Sequence, residues 1–114
     1  EIAGWSFDAL RSDGRLLKQI ARAARQAVAV SALQFGVSPP RAAMLIRSGA
    51  LKTLLRTAPS AVPFDLETYL AFHFTKVGDQ TRQTLDSWIA AGQAAGKPVD
   101  AIAALREQLP TRAP

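Results

Sequence analysis

One stripe of apolar and small side chains, repeating at intervals of three and four residues, constrains this chain more than any other feature. Side chains at this spacing lie on one face of an α-helix. Ser12 or Asp13 could cap the start of such a helix, and Gly36 follows it where a C-terminal capping glycine is expected. The pattern predicts an amphipathic helix of about six turns. Its expected inward face carries Leu17, Ile20, Ala24, Val28, Ser31 and Phe35.

Two shorter helices are expected next, because proline and glycine interrupt the chain repeatedly between residues 38 and 63. Ser-Pro-Pro at residues 38–40 is a helix start signal, since proline is tolerated in the first turn. The helix after it is expected to turn Ala43, Met44 and Ile46 inward. A second short helix, through Leu51, Leu54 and Leu55, is expected to stop before Pro59, which leaves residues 58–63 as a loop.

The longest predicted element begins at Asp65, a good N-cap residue, and keeps its helical spacing as far as residue 92. We expect one helix over about residues 65–95, with Gly78 as the point where it could bend. Leu85 and Trp88 lie on its apolar stripe and are expected in the core. After Gly96 and Pro98, a last helix is expected to bury Ala101, Ile102, Leu105 and Leu109, before a frayed tail at residues 110–114.

These elements predict an all-α fold of about five helices, with the helix over residues 65–95 as its central strut. Residues 1–114 are expected to form a single helical domain. Because the chain lacks an initiator methionine, we interpret it as a piece of a longer protein. The absence of cysteine excludes a disulfide framework, a thiolate metal site and a cysteine nucleophile. No apolar run approaches the ~20 residues of a membrane span, so a cytoplasmic location is expected.

The formal net charge of +5 fits either an anionic partner or a solvated, arginine-rich surface. Arg15, Lys18, Arg22 and Arg25 form a basic row on the face of the first long helix opposite its apolar stripe. No aromatic residue interleaves this row, so bases would find no stacking platform and nucleic-acid binding is not expected.

The familiar catalytic signatures are missing, and we assign no catalytic residue and no metal ligand. On a continuous helix, His73, Lys76 and Gln80 would lie along one flank of the apolar stripe, at the boundary between core and solvent. A histidine, an ammonium group and an amide in that position can bind a substrate or a cofactor. An equally concrete alternative is structural, with His73 bonded to a backbone carbonyl and Lys76 paired with Asp79 or Gln80.

Two segments resemble the C-terminal half of the ketopantoate reductase family (2-dehydropantoate 2-reductase). The first runs from Ala24 through Val30 to Phe35-Gly36-Val37. The second runs from Tyr69 through Lys76-Val77-Gly78-Asp79-Gln80-Thr81 to Ala95-Gly96-Lys97-Pro98-Val99. Together the likeness covers about residues 12–109 and rests mainly on the second segment.

The resemblance implies a helical C-terminal domain that supplies much of a substrate pocket and the dimer contacts. It also implies that this chain is the C-terminal fragment of a longer two-domain protein, whose N-terminal dinucleotide-binding domain binds most of the NADP. The substrate would be a small 2-keto acid, in pantothenate biosynthesis, and a homo-oligomer is expected. The chain departs from the family pattern in two places. Lys18 is followed four residues later by Arg22 rather than by the asparagine of the family's K-x-x-x-N helix, and Gln80 falls near the position of the family's glutamate.

An alternative of a different class is a stand-alone helical protein-interaction module, whose apolar grooves hold a partner protein. Trp5, Phe7 and Trp88 are then core residues or interface anchors rather than ligand-stacking rings.

Overall fold

A computed structural model describes residues 2–110 and is all-helical over that range. Helix α1 spans Phe7–Ser12, α2 Gly14–Gln34, α3 Ser48–Ala61, α4 Leu66–Lys76, α5 Gly78–Ala94 and α6 Asp100–Gln108, and a short 3₁₀ helix covers Arg41–Leu45. The all-α prediction is therefore confirmed. No helix in the described range is both long and apolar enough to cross a membrane. The predicted tail lies, from residue 111 onward, outside the described residues.

Helix α2 begins and ends where its capping residues predict. The Asp13 carboxylate accepts a hydrogen bond from the Leu16 N–H at 2.9 Å, which satisfies one of the free donors of the first turn. Gly36 adopts a φ of +67°, a conformation that glycine reaches without steric cost. Helix α1 was not predicted; the Ser6 hydroxyl caps it by accepting a hydrogen bond from the Ala9 N–H at 3.2 Å.

The core lies where α2 crosses α5 and α6. Val30 and Ile102 are almost completely buried there, beside Ala23, Val99 and Ala101. Leu85, Trp88 and Leu105 pack against this cluster but stay partly exposed. The prediction that α6 buries Ala101 and Ile102 is confirmed.

Glycine at position 92 permits the close approach of α5 to the core. A Cβ there would overlap Val99 Cγ1 and would lie 3.1 Å from Val30 Cγ2. Only glycine therefore fits this crossing without a shift of its neighbours.

The prediction of which face of α2 is buried is wrong, because the buried face is rotated about the helix axis relative to the predicted stripe. The buried positions are Leu16, Leu17, Ala21, Ala23, Gln26, Val30 and Ala32, whereas Phe35 is 82% exposed. Of the predicted inward stripe only Leu17 is buried. The apolar and alanine-rich surface of α2 is wider than α5 and α6 can cover, so periodicity alone could not select the covered part.

The single helix predicted over residues 65–95 is also wrong, because Val77 separates two helices. Val77 has φ −104° and ψ 18°, outside helical geometry, and ends α4. Valine is stiff at χ1 in a helix, and the glycine after it is a weak helix former, so the two residues together make this the weakest point of the pattern. Asp65 does cap α4, since its carboxylate accepts a hydrogen bond from the Thr68 N–H at 3.2 Å.

Two expectations between residues 38 and 63 need correction as well. The segment after Pro40 forms a 3₁₀ helix rather than an α-helix, and Met44 is 65% exposed instead of inward. Helix α3 continues through Pro59 to Ala61, so the expected loop over residues 58–63 is wrong at residues 58–61. Pro59 lies in the last turn, where its missing N–H removes only one hydrogen bond and the helix ends two residues later.

Candidate functional site

The three predicted binding residues lie on two different helices. His73 and Lys76 occupy the last turn of α4, and Gln80 lies in the first turn of α5, beyond the break at Val77. All three side chains are exposed. The expectation that they share one continuous helix flank is therefore wrong, whereas their role in binding a ligand stays a prediction.

His73 contacts two aromatic rings of α4. Its ring stacks on Tyr69 with centroids 6.2 Å apart and meets the edge of Phe74 at 5.1 Å. Tyr69 in turn contacts Phe64 edge-on at 5.4 Å. The exposed side of α4 is thus an aromatic surface that ends in a histidine.

Lys76 borders an open cavity of about 530 Å³ on the neighbouring side of α4. The cavity is lined by Trp5, Thr68, Ala71, Phe72, Thr75 and Lys76. An ammonium group at the rim of a mostly apolar surface can hold a carboxylate whose carbon skeleton contacts that surface. Neither His73 nor Gln80 lines this cavity, so the structure does not bring the three predicted residues together.

Another candidate site is an apolar groove, most of whose residues on α2 were expected in the core. We name it the α2 groove; its volume is about 600 Å³. One wall comes from α2 and the segment after it, through Ile20, Ala23, Ala24, Ala27, Val28, Ser31, Ala32, Phe35, Val37 and Pro40, and the other from Leu85, Trp88, Ile102 and Leu105. Apart from Leu17, the whole stripe predicted to face inward lines this groove.

Small side chains create the α2 groove. Alanine predominates on this part of α2, and its short side chain leaves space between α2 and the indole of Trp88. At the end of α2, Phe35 and Val37 extend the apolar surface into solvent, with exposed fractions of 82% and 61%. Ser31 is the one polar residue in the lining. Such a surface can bind an apolar partner, but it has no group that could transfer a proton.

A second apolar cavity, of about 250 Å³, lies between the N-terminal segment and α4. Trp5 and Phe7 line it, and the Trp5 ring stacks on Phe74 at 6.3 Å. The Glu67 carboxylate accepts a hydrogen bond from the Phe7 N–H at 3.0 Å, so it holds the start of α1 against α4. Glu67 therefore has a structural role in this cavity.

Gln26 is the buried polar residue that sequence reasoning did not single out. Its amide nitrogen donates to Asp100 Oδ1 at 2.9 Å, and its oxygen accepts from the Ala101 and Ile102 N–H groups at 3.1 and 3.3 Å. Gln26 thereby caps α6, whose own N-cap residue, Val99, has no side-chain oxygen. Its position between Ala23 and Val30 was the available signal, because it interrupts an otherwise apolar row.

No three histidine, aspartate or glutamate side chains within residues 2–110 gather closely enough to hold a metal ion. Comparison of the chain with protein-family models, curated proteins and solved structures gives no match. The likeness to ketopantoate reductases therefore rests on the residues quoted for it.

Proposed function

We propose that this chain is the substrate-side and oligomerisation domain of a ketopantoate-reductase-like, NADP-dependent oxidoreductase of the cytoplasm. The observation that carries the proposal is the α2 groove. The first segment that resembles the family supplies one wall through Ala24, Val28 and Phe35, and the second supplies Leu85 and Trp88. An apolar face of this kind is normally covered by a second domain or a second subunit.

In this proposal the hydride chemistry belongs to the whole enzyme. The N-terminal dinucleotide-binding domain would hold most of the NADPH, which supplies hydride to the 2-keto carbon of the substrate. The helical domain would close over the substrate and orient it, which accelerates the reaction through proximity. Lys76 would hold the substrate carboxylate at the rim of its cavity. His73, which does not line that cavity, would donate a hydrogen bond to a part of the ligand outside it. Gln80, which also lies outside this cavity, can donate or accept a hydrogen bond but cannot ionise.

The first test is recovery of the coding sequence upstream of Glu1. The proposal expects a predicted β-strand followed by G-x-G-x-x-G, the arrangement that binds a dinucleotide pyrophosphate. An upstream region that encodes another fold would overturn it. The chain alone should show no NADPH oxidation with ketopantoate, and turnover that survives repurification would contradict this division of labour.

The second test uses the full-length protein and Lys76→Ala. Binding of the 2-keto acid should weaken about tenfold, or about 1.4 kcal/mol, while the melting temperature stays nearly unchanged because Lys76 is exposed. Lys52→Ala, which removes an exposed lysine from α3, is the matched control. Equal binding by wild type and Lys76→Ala would remove Lys76 from the site.

A stand-alone helical interaction module is the second candidate, and the shape of the α2 groove favours it. The groove is open, elongated along α2 and lined almost wholly by apolar side chains, as in proteins that accept the apolar face of a partner helix. Recovery of a short gene with no dinucleotide-binding domain would favour this module. Val28→Glu should then abolish capture of the partner, while Lys52→Glu on α3 should leave it intact.

A further inference from the structure

A further cavity, which we name the basic cavity, is lined by a cluster of positively charged side chains. It lies between α2 and the start of α3, and its volume is about 490 Å³. It is lined by Lys18, Ala21, Arg22, Arg25, Met44, Arg47 and Ser48. Four of these side chains are cationic, and the lining contains no carboxylate. The cavity is on a different side of α2 from the α2 groove, with which it shares no residue.

The helix and the segment before α3 bring these cations together. Lys18, Arg22 and Arg25 are spaced by four and three residues, so they project from one face of α2. Arg47, the residue before α3, supplies the fourth cation from the opposite wall. The spacing on α2 predicts the basic row, but only the fold adds Arg47 to three of its members and leaves Arg15 outside the cavity.

Two of the arginines are held in place by backbone carbonyls. Arg25 Nη1 donates to the Ile46 carbonyl, and Arg47 Nε donates to the Met44 carbonyl at 3.3 Å. A guanidinium group has five N–H donors, so each of these bonds leaves several donors for a ligand. Positioning a guanidinium before a ligand arrives lowers the entropic cost of binding.

The positive charge of the cavity is only partly compensated within the fold. Arg22 Nη2 forms an ion pair with Asp100 Oδ2 at 2.6 Å. Asp100 lines an adjoining cavity rather than the basic cavity itself. The Lys18 ammonium group forms no hydrogen bond or ion pair with another residue in the described range 2–110. Several like charges around one space repel one another, and a bound polyanion would relieve that repulsion.

We propose that the basic cavity binds a small molecule that carries two adjacent phosphate groups. Each phosphate presents a charge near −1.5 to −2, so a diphosphate balances the charge of the four cations better than a single carboxylate does. Arginine side chains also match phosphate oxygens with paired N–H donors. No aromatic side chain lines the cavity, so the bases of a single-stranded nucleic acid would have nothing to stack on. The proposal is independent of the proposed reductase function.

Calorimetric titration of the chain with inorganic pyrophosphate tests the proposal. We expect saturable binding of one pyrophosphate per chain, and an affinity that falls as the salt concentration rises. Lys18→Gln and Arg47→Gln should each weaken binding about tenfold. Arg56→Gln removes the same charge from an exposed position of α3 outside the cavity, and it should leave the affinity within about twofold of wild type.

Three results would overturn the proposal. One is the absence of pyrophosphate binding, and another is an equal loss in Arg56→Gln, which would indicate general attraction to a cationic surface. The third is tighter binding of an oligonucleotide than of pyrophosphate at the same salt concentration. Should a variant fail to fold, amide chemical shifts of the wild type decide: pyrophosphate must perturb residues around 18–25 and 44–48, and shifts elsewhere alone would refute the site.

Discussion

The crossing of α2 with α6 and the exposed side of α4 both carry large apolar side chains. Those at the crossing are buried, whereas those on α4 are exposed to solvent. At the crossing, Val30 and Ile102 are buried, and the buried polar residue Gln26 forms hydrogen bonds to the first turn of α6 through both its amide nitrogen and its oxygen. On α4, Tyr69 and Phe72 are 54% and 74% exposed. The crossing is a buried core, whereas α4 exposes aromatic rings on the surface of the domain. Burial was decided by the presence of a neighbouring helix rather than by hydrophobicity.

Truncation at the crossing should have the largest effect. Ile102→Ala removes a side chain that is only 1% exposed, and the loss of contacts plus the remaining cavity should cost about 2–5 kcal/mol of stability. Urea unfolding followed by circular dichroism measures the change. A midpoint equal to that of wild type would show that α6 is not part of the core. It would also refute the contrast between the crossing and the exposed side of α4.

A larger side chain at Gly92 tests the close approach of α5 to the same core. Gly92→Ala forces Val99 or Val30 to move, and neither can yield cheaply because both are β-branched and buried. Overpacking of this kind should cost about 1–3 kcal/mol. Gly49→Ala is the control, since a Cβ on that glycine of α3 meets nothing within 4 Å and should be neutral or stabilising. Equal effects of the two variants would refute the close approach.

The junction between Gln26 and Asp100 should make the crossing sensitive to acid. The hydrogen bond from the Gln26 amide, aided by the charge of Arg22, holds the pKa of Asp100 below its ordinary value of 3.8. The unfolded chain therefore takes up this proton at a higher pH than the folded chain. The contribution of Asp100 is fully present above about pH 5 and is lost as the pH falls through the lowered pKa.

Urea midpoints at pH 6 and pH 3 test this sensitivity. Wild type should lose more stability between the two pH values than Asp100→Asn, which cannot titrate. Thr68, through its hydroxyl and its N–H, lowers the pKa of Asp65 as well, but that contribution is common to both proteins and cancels. Glu107→Gln, at an exposed position of α6, serves as the control and should follow wild type. Parallel losses in wild type and Asp100→Asn would exclude the junction as the source.

The smallest effect is expected on α4. Phe72→Ser exchanges a ring that is 74% exposed, so the stability of the isolated chain should change by no more than about 0.5 kcal/mol. The same variant should reduce any concentration-dependent association measured by sedimentation, because it removes apolar surface. A loss comparable with that of Ile102→Ala would mean that α4 is covered within the domain, and the contrast between the two regions would disappear.

Local signals predicted the elements of this fold well where a capping residue marked them. Four capping residues lie at helix ends as expected, namely Asp13, Gly36, Asp65 and Gly96. Their effect could be predicted because it depends on a few neighbouring backbone groups. Pro59 was misjudged, since the cost of a proline depends on how much helix follows it. The row of His73, Lys76 and Gln80 failed as a shared flank because one residue, Val77, leaves helical geometry between them.

The sequence by itself determined that the chain is helical, which segments form most of its helices and where α2 begins and ends, because these depend on spacing and capping over a few residues. Only the tertiary structure decided which side of α2 is core, which is the α2 groove and which is the basic cavity. The apolar and alanine-rich surface of α2 is wider than two neighbouring helices can cover. Which part is covered depends on contacts with Gly92, Val99 and Ile102, which lie 58 or more residues beyond the end of α2.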